Sequence, residues 1–215
     1  MTTEPEFLTT ARAFYDAVAV DYADRYRNVL AARPLDRAML AAFAELAAGG
    51  RVVELGCGPG YVTGHLAGLG LDVSGLDLSP RMVELARADY PGLRFEVGSL
   101  LDLPYADGEL AGAAAWYSII HTPVEHLPRV FAELHRVLAP GGHLLLAFQV
   151  GDRPLRIDRP FGHPVALDFR RRRPDLVAGL AADAGLTVTT RLVREPVGEE
   201  STPQAFLLAR RPLGA

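Results

Sequence analysis

The sequence predicts an α/β protein built on a doubly wound, mostly parallel sheet, and three observations carry that expectation. Short apolar runs alternate with stretches of helical periodicity from residue 51 to residue 148, the pattern of parallel strands joined by helical crossovers. The first run stops abruptly in Gly56-Cys57-Gly58-Pro59-Gly60, a turn in which main chain can approach a ligand without an intervening Cβ. The 215 residues, 49% hydrophobic and 22% charged, suffice for one sizeable core.

The elements follow in order. Residues 6–31 carry Phe7, Ala11, Phe14, Val18, Tyr22 and Tyr26 at spacings of three and four, which predicts a helix or a helix pair. Pro34 marks a helix start, and residues 35–48 keep helical periodicity until Gly49-Gly50. A strand at 51–55 precedes a short helix at 61–68, a strand at 72–76 and a helix at 80–89 with Ser79 as N-cap and Pro80 in its first turn. Strands at 93–97 and 110–115, a helix at 124–138 closed by Pro140-Gly141-Gly142 and a strand at 143–148 complete the alternation. Residues 151–173, with Pro154, Pro160 and Pro164, are too many for an ordinary connection and predict either a lid or an inserted strand pair. A helix at 174–184 and two antiparallel closing strands at 186–193 and 205–209 end the chain. The expectation is a single domain over 1–215: cap helices in 1–34, a ligand-binding core in 35–150, a lid insertion in 151–173, and a closing helix and strands in 174–215.

Bulk properties narrow the function. A formal net charge of −4 offers no footprint for a nucleic-acid backbone or an anionic membrane. One cysteine, Cys57, forms no internal disulfide. Met1 to Glu6 is polar and acidic, unlike a secretory leader, and no apolar run approaches the roughly 20 residues of a membrane span, so a cytoplasmic location is expected. All 22 basic residues are arginine, which removes lysine-based covalent catalysis.

The glycine loop alone signals only some nucleotide-like ligand. Its neighbours say more. A dinucleotide fingerprint wants glycine at the first, third and sixth positions, but Tyr61 holds the sixth. Glu54 at the strand end repels phosphate and welcomes an ammonium group. S-adenosylmethionine carries a sulfonium, an amine and a carboxylate and no phosphate, so it suits this loop better. Asp77, roughly 20 residues on, has the spacing of a carboxylate that accepts hydrogen bonds from a ribose diol, although a helix N-terminus would also favour it. Leu78 and Met82 are placed to pack an adenine, and Ser99 with Leu100 to read its edge.

Glu54-Leu55-Gly56-Cys57-Gly58-Pro59-Gly60, then Gly75-Leu76-Asp77-Leu78-Ser79-Pro80-Arg81-Met82, then Gly98-Ser99-Leu100, then Leu134-His135-Arg136-Val137-Leu138-Ala139-Pro140-Gly141-Gly142, resembles a class I S-adenosylmethionine-dependent methyltransferase of the type 11/25 group. The resemblance covers about half the chain, residues 50–150. It implies a Rossmann-like seven-stranded sheet ending in an antiparallel strand, to which the sequence adds an N-terminal helical cap and an insertion after the fifth strand. It implies that Glu54, Gly56, Cys57, Gly58 and Gly60 line the methionine part of the cofactor, Asp77 the ribose, and Ser99 and Leu100 the adenine. Many relatives have an aspartate where Ser99 stands. It also implies that Tyr15 and Tyr22 close over the cofactor, and that the segment after the fourth strand, Ala115-Trp116-Tyr117-Ser118-Ile119-Ile120-His121, faces donor and acceptor.

The reaction expected is in-line transfer of a methyl group to an oxygen or nitrogen of a small metabolite, leaving S-adenosylhomocysteine. His121 is the expected general base, because a histidine titrating near neutrality suits proton removal. Tyr117, His163 and Arg170 are expected to contact the acceptor, with Trp116 and Phe161 as further aromatic walls and Asp168 close to His163. Arg170-Arg171-Arg172-Arg173 is expected as a solvated face or a carboxylate clamp. No carboxylate cluster follows the fourth strand, so no metal is expected, nor a nucleic-acid or membrane partner; the chain acts as monomer or homodimer. The alternatives are a donor-binding protein of this fold with another role and, against the evidence of Tyr61, a nicotinamide-dependent reductase.

Overall fold

The computed structural model describes residues 4–214; Met1 to Thr3 of the polar N-terminus, and Ala215, lie outside the described residues. The elements are α1 (Glu6–Tyr26), a 3₁₀ turn (Val29–Ala32), α2 (Pro34–Leu46), β1 (Arg51–Leu55), α3 (Tyr61–Gly68), β2 (Asp72–Asp77), α4 (Pro80–Asp89), β3 (Arg94–Val97) and β4 (Leu110–Trp116). After two 3₁₀ turns come α5 (Leu127–Val137), β5 (Leu138–Gln149), the β6 (Leu155–Asp158) and β7 (Ala166–Phe169) hairpin, α6 (Pro174–Asp183), β8 (Thr187–Arg194) and β9 (Gln204–Arg210).

Seven strands form one sheet in the order β3-β2-β1-β4-β5-β9-β8, with β6 and β7 paired separately. The five strands from β3 to β5 are parallel, and β9 runs antiparallel to both β5 and β8. The chain winds outward from β1 to β3 and then returns to β4 on the other side of β1. That reversal opens a crevice beyond the carboxyl ends of β1 and β4, where ligands of such sheets bind.

Both sheet faces are covered, which explains why the central strands read as continuous apolar runs. On one face α5 presents Leu127, Val130, Phe131, Leu134 and Val137, spaced by three or four and fully buried, beside Val177 and Ala181 of α6. On the other face α2 packs Leu40 and Phe43 against Val52, Trp116 and Leu145, with Leu66 of α3 alongside.

The expected helix at 124–138 divides into a 3₁₀ turn (Val124–His126) and α5. Pro128 is the cause: it sits in the first turn of α5, where its missing N–H is harmless and its fixed φ starts the helix. The expected strand at 143–148 begins earlier, at Leu138, because Leu138 already pairs with Leu110 before a register shift carries the ladder to Gly112 and His143. Of the two expectations for 151–173, the inserted strand pair is the one found.

α1 crosses the carboxyl edge of the sheet and is tied down on both flanks. On one side Asp16 accepts from the Ser79 hydroxyl (2.6 Å) and the Arg81 main chain (3.2 Å), at the start of α4. On the other, Asp21 pairs with His163 at 2.8 Å, and the Phe14 ring meets Phe169 of β7 edge-on with centroids 6.0 Å apart.

Candidate functional site

A cleft of about 920 Å³, measured out to its open mouth, lies in the crevice beneath α1. Its floor is the glycine loop. Gly56 takes a left-handed φ of 72° and lies so close to Ser118 that a Cβ there would collide with the serine's own. Gly58, at φ 52°, turns its N–H to the Asp77 carboxylate, and the nearest atom to a Cβ at this glycine would be the Tyr22 ring at 4.0 Å. Side chains at either position would fill the cradle.

Two carboxyl groups are buried in this cleft. Glu54, at the penultimate position of β1, accepts the Thr63 hydroxyl of α3, and burial pushes its pKa up to about 8 against the pull of that bond. Asp77 ends β2 and accepts the Gly58 N–H at 2.7 Å and the Ser79 N–H at 2.8 Å. Burial raises it to about 6, opposed by those two bonds. Each carboxylate oxygen has two lone pairs, so Asp77 keeps acceptor capacity toward the cleft. None of the lining side chains is an arginine.

His121 closes the far wall. Its Nε2 lies 2.7 Å from the Tyr15 hydroxyl, and its Nδ1 faces the Asp168 main chain with no partner of good geometry. With Nδ1 protonated toward that carbonyl, Nε2 accepts from Tyr15. Burial drives the imidazole pKa down to about 3, so it is uncharged at neutral pH. This corrects the expectation of a histidine titrating near neutrality.

The expected residues divide cleanly. Tyr15, Tyr22, Glu54, Gly56, Cys57, Gly58, Asp77, Leu78, Met82, Ser99, Leu100, Trp116, Tyr117 and His121 all line the cleft. Cys57 does so while its side chain packs with Val83, Ala86 and Phe95 under the loop. Gly60 does not line it: its left-handed φ of 86° caps α3 and faces the Phe95 and Tyr90 rings. Ala115 is absent from the wall because its side chain points into the core.

His163 and Arg170 are likewise outside. His163 is spent on Asp21, and Arg170 donates to the His121 carbonyl at 3.0 Å. Phe161 is half exposed at the hairpin tip. Of the four arginines expected as a solvated face or a clamp, only Arg173 is exposed to solvent. Arg172 is buried and bonds the Thr122 carbonyl, Arg171 donates to Ser201, and Arg173 faces Asp152. Arg170 and Arg172 thus fasten the insertion to the segment after β4, while Arg171 ties it to the loop between β8 and β9.

Lining residues outside the expected set include Phe7, Leu8, Ala11, Tyr61 and Thr122. Phe7 and Ala11 carry the periodic signal of a core-facing helix, which does not distinguish core from cleft. Tyr61 was read only as a missing glycine.

Residues 52–142 match the family model described as "Methyltransferase domain". The chain carries a class I S-adenosylmethionine-dependent methyltransferase domain. The domain is similar to an O-methyltransferase of Penicillium expansum (34% identical over 115 residues, 50% of this chain and 41% of that protein). It is also similar to a malonyl-[acyl-carrier protein] O-methyltransferase of Erwinia billingiae (32% over 108 residues, 50% and 42%). An uncharacterized 37.1 kDa transposon protein of Streptomyces fradiae aligns more widely, 34% identical over 84% of this chain and 56% of its own length. The chain thus spans about half the length of the curated relatives it matches.

The methyltransferase fold is shared with magnesium protoporphyrin IX methyltransferase from Synechocystis (TM-score 0.73, 17% identity, 98% of this chain and 100% of that one). It is shared equally with a [4+2]-cyclase, SpnF (TM-score 0.72, 18% identity, 98% of each chain). The family's donor fits what the cleft holds. It needs acceptors for an ammonium and a ribose diol, bare amides, and an apolar slot; the cleft presents the Glu54 and Asp77 carboxyls, the Gly56–Gly58 turn and the Leu78, Met82 and Leu100 side chains.

Proposed function

We propose that the protein transfers the methyl group of S-adenosylmethionine to an oxygen or nitrogen of a small metabolite. The observation that carries this reading is the burial of Glu54 and Asp77 in one cleft with no arginine on its wall, a polarity that refuses a pyrophosphate and admits a cationic donor. Bound there, the donor supplies a methyl group made electrophilic by its sulfonium.

The chain's own residues do the rest. Glu54 receives the ammonium, the turn amides face the carboxylate, and Asp77 accepts from the ribose diol. Leu78, Met82 and Leu100 pack the base, with Ser99 at its edge. Tyr15 and Tyr22, hung from α1, keep water out, which leaves alignment as the main source of rate. His121 holds the Tyr15 hydroxyl through Nε2 and takes the acceptor's proton through it. A weak base suffices for this step, because the acceptor becomes strongly acidic once the methyl group has begun to bond. Single-domain action on a small acceptor, without nucleic acid or membrane, belongs to the same proposal; among the described residues no helix is long and apolar enough to cross a membrane.

Calorimetric titration with S-adenosylmethionine, S-adenosylhomocysteine and NADH tests the donor, and a response to NADH alone overturns it. Release of S-adenosylhomocysteine across a panel of phenols, carboxylic acids and amines tests the transfer. A second reading, donor binding without transfer, is favoured by the likeness of the fold to that of a [4+2]-cyclase. Tight donor binding with no S-adenosylhomocysteine from any member of the panel would establish that reading instead.

A further inference from the structure

Three consecutive residues of the insertion close on His121. The Asp168 main chain faces its Nδ1, and the Phe169 ring meets the imidazole edge-on with centroids 4.8 Å apart. Arg170 donates through Nη1 to the His121 carbonyl at 3.0 Å and through its own N–H to the Ile120 carbonyl at 2.8 Å. Arg172 adds a bond to the Thr122 carbonyl. His121 ends a 3₁₀ turn of three residues, Ile119–His121, and the closing carbonyls of so short a turn find no partner inside it. The insertion supplies donors to three such carbonyls in a row.

Fastening a hairpin to the sheet does not require contacts on a ring. Here they converge on both the main chain and the imidazole of one residue, whose Nε2 lies 2.7 Å from the Tyr15 hydroxyl on the cleft wall. The two neutral tautomers of that ring are not equivalent in this setting. With the proton on Nε2, the buried lone pair of Nδ1 would face the Asp168 carbonyl, one acceptor against another. With the proton on Nδ1 the same contact turns attractive, although bent, and Nε2 presents its lone pair to Tyr15. A neutral imidazole in water favours the opposite form, so the partner of one nitrogen decides the state of the other.

We propose that the hairpin insertion positions the base: Asp168, Phe169 and Arg170 hold His121 with its proton on Nδ1, so that Nε2 is the nitrogen that takes the acceptor's proton. The idea rests on His121 as the base and adds the element that selects its working tautomer. Phe169 and Arg170 do not line the cleft and act through His121.

The test is ring-nitrogen NMR on the full chain, with histidine isotopically labelled at those atoms. His121→Ala assigns the signal among the six histidines. At neutral pH the unaltered chain is expected to carry the proton on Nδ1. Phe169→Leu and Arg170→Met each release one hold and are expected to admit the Nε2–H form. Turnover of any accepted member of the panel should fall roughly tenfold in each, inside the ~10²–10⁴ that a positioned base contributes, with donor affinity within about twofold. Arg170→Lys keeps a donor and is expected to keep the tautomer. A role in stability alone would lower the unfolding midpoint and leave the ring signal unmoved. A proton on Nε2 in the unaltered chain, or an undisturbed Nδ1–H in both variants, overturns the proposal. Should one variant fail to fold, the other decides. If the tautomer shifts while turnover holds, the assignment of His121 as base falls instead.

Discussion

The Asp77 carboxylate accepts the Gly58 N–H at 2.7 Å, so a side chain at the end of β2 fixes the turn that follows β1. One residue therefore sets the shape of the glycine turn and also lines the cleft. Asp77→Ala is expected to weaken S-adenosylmethionine binding by about an order of magnitude or more, the scale of lost charge-assisted hydrogen bonds. Unchanged affinity in calorimetry would remove the ribose assignment.

Glu54 makes donor binding dependent on pH. With a folded pKa of about 8, the ligand-free carboxyl is mostly protonated at neutral pH and must ionise to receive an ammonium. Affinity is expected to rise from pH 6 to pH 8, with a proton released on binding, and Glu54→Gln should flatten the profile. The same shift acts on stability with the opposite sense. Between its ordinary pKa of 4.5 and about 8, the folded chain holds a proton that the unfolded chain has shed, so Glu54 lowers the stability of the ligand-free protein as pH rises through that window. Asp77 adds a smaller effect of the same sign between 3.8 and about 6. Thermal unfolding of Glu54→Gln against the unaltered chain, at pH 5 and pH 8, isolates the trend.

His121→Ala should leave donor affinity within a few-fold while lowering turnover, and Tyr15→Phe should do the same if the proton passes through its hydroxyl. Turnover that survives both substitutions would reduce the pair to a packing contact.

Away from the cleft, Arg194 on β8 is buried between Asp36 of α2 and Glu200, with its guanidinium 2.9 Å from Asp36. Asp36→Ala strips one partner from a buried charge and should cost about 3 kcal/mol in urea unfolding. A loss below about 1 kcal/mol would show that Glu200 alone satisfies the guanidinium.

How much of this was legible in the sequence depended on whether the signal was local. The βα units and the glycine turn could be read because strand burial and turn chemistry are written in adjacent residues. Asp77 was found because its distance from the loop is set by one crossover. The acceptor side was not local. His163 and Arg170 carry the right chemistry, but their partners, Asp21 and the His121 carbonyl, lie 142 and 49 residues away. The polar groups of the insertion were consumed in fastening it down, and no pattern within the insertion announces that. Ala115 and Gly60 failed for a subtler reason: a residue beside a cleft lines it only if its side chain or its bare backbone points that way.

Cys57 is the only sulfhydryl in the chain, 2% exposed, packed beneath the glycine turn and driven by burial to a high pKa. It is thus a chemical clock supplied by the protein itself. An alkylating reagent reaches it only when the turn opens, so the labelling rate reads the frequency of that opening at one defined point. No engineered probe is required, and slowing by a bound ligand reports occupancy at the same place.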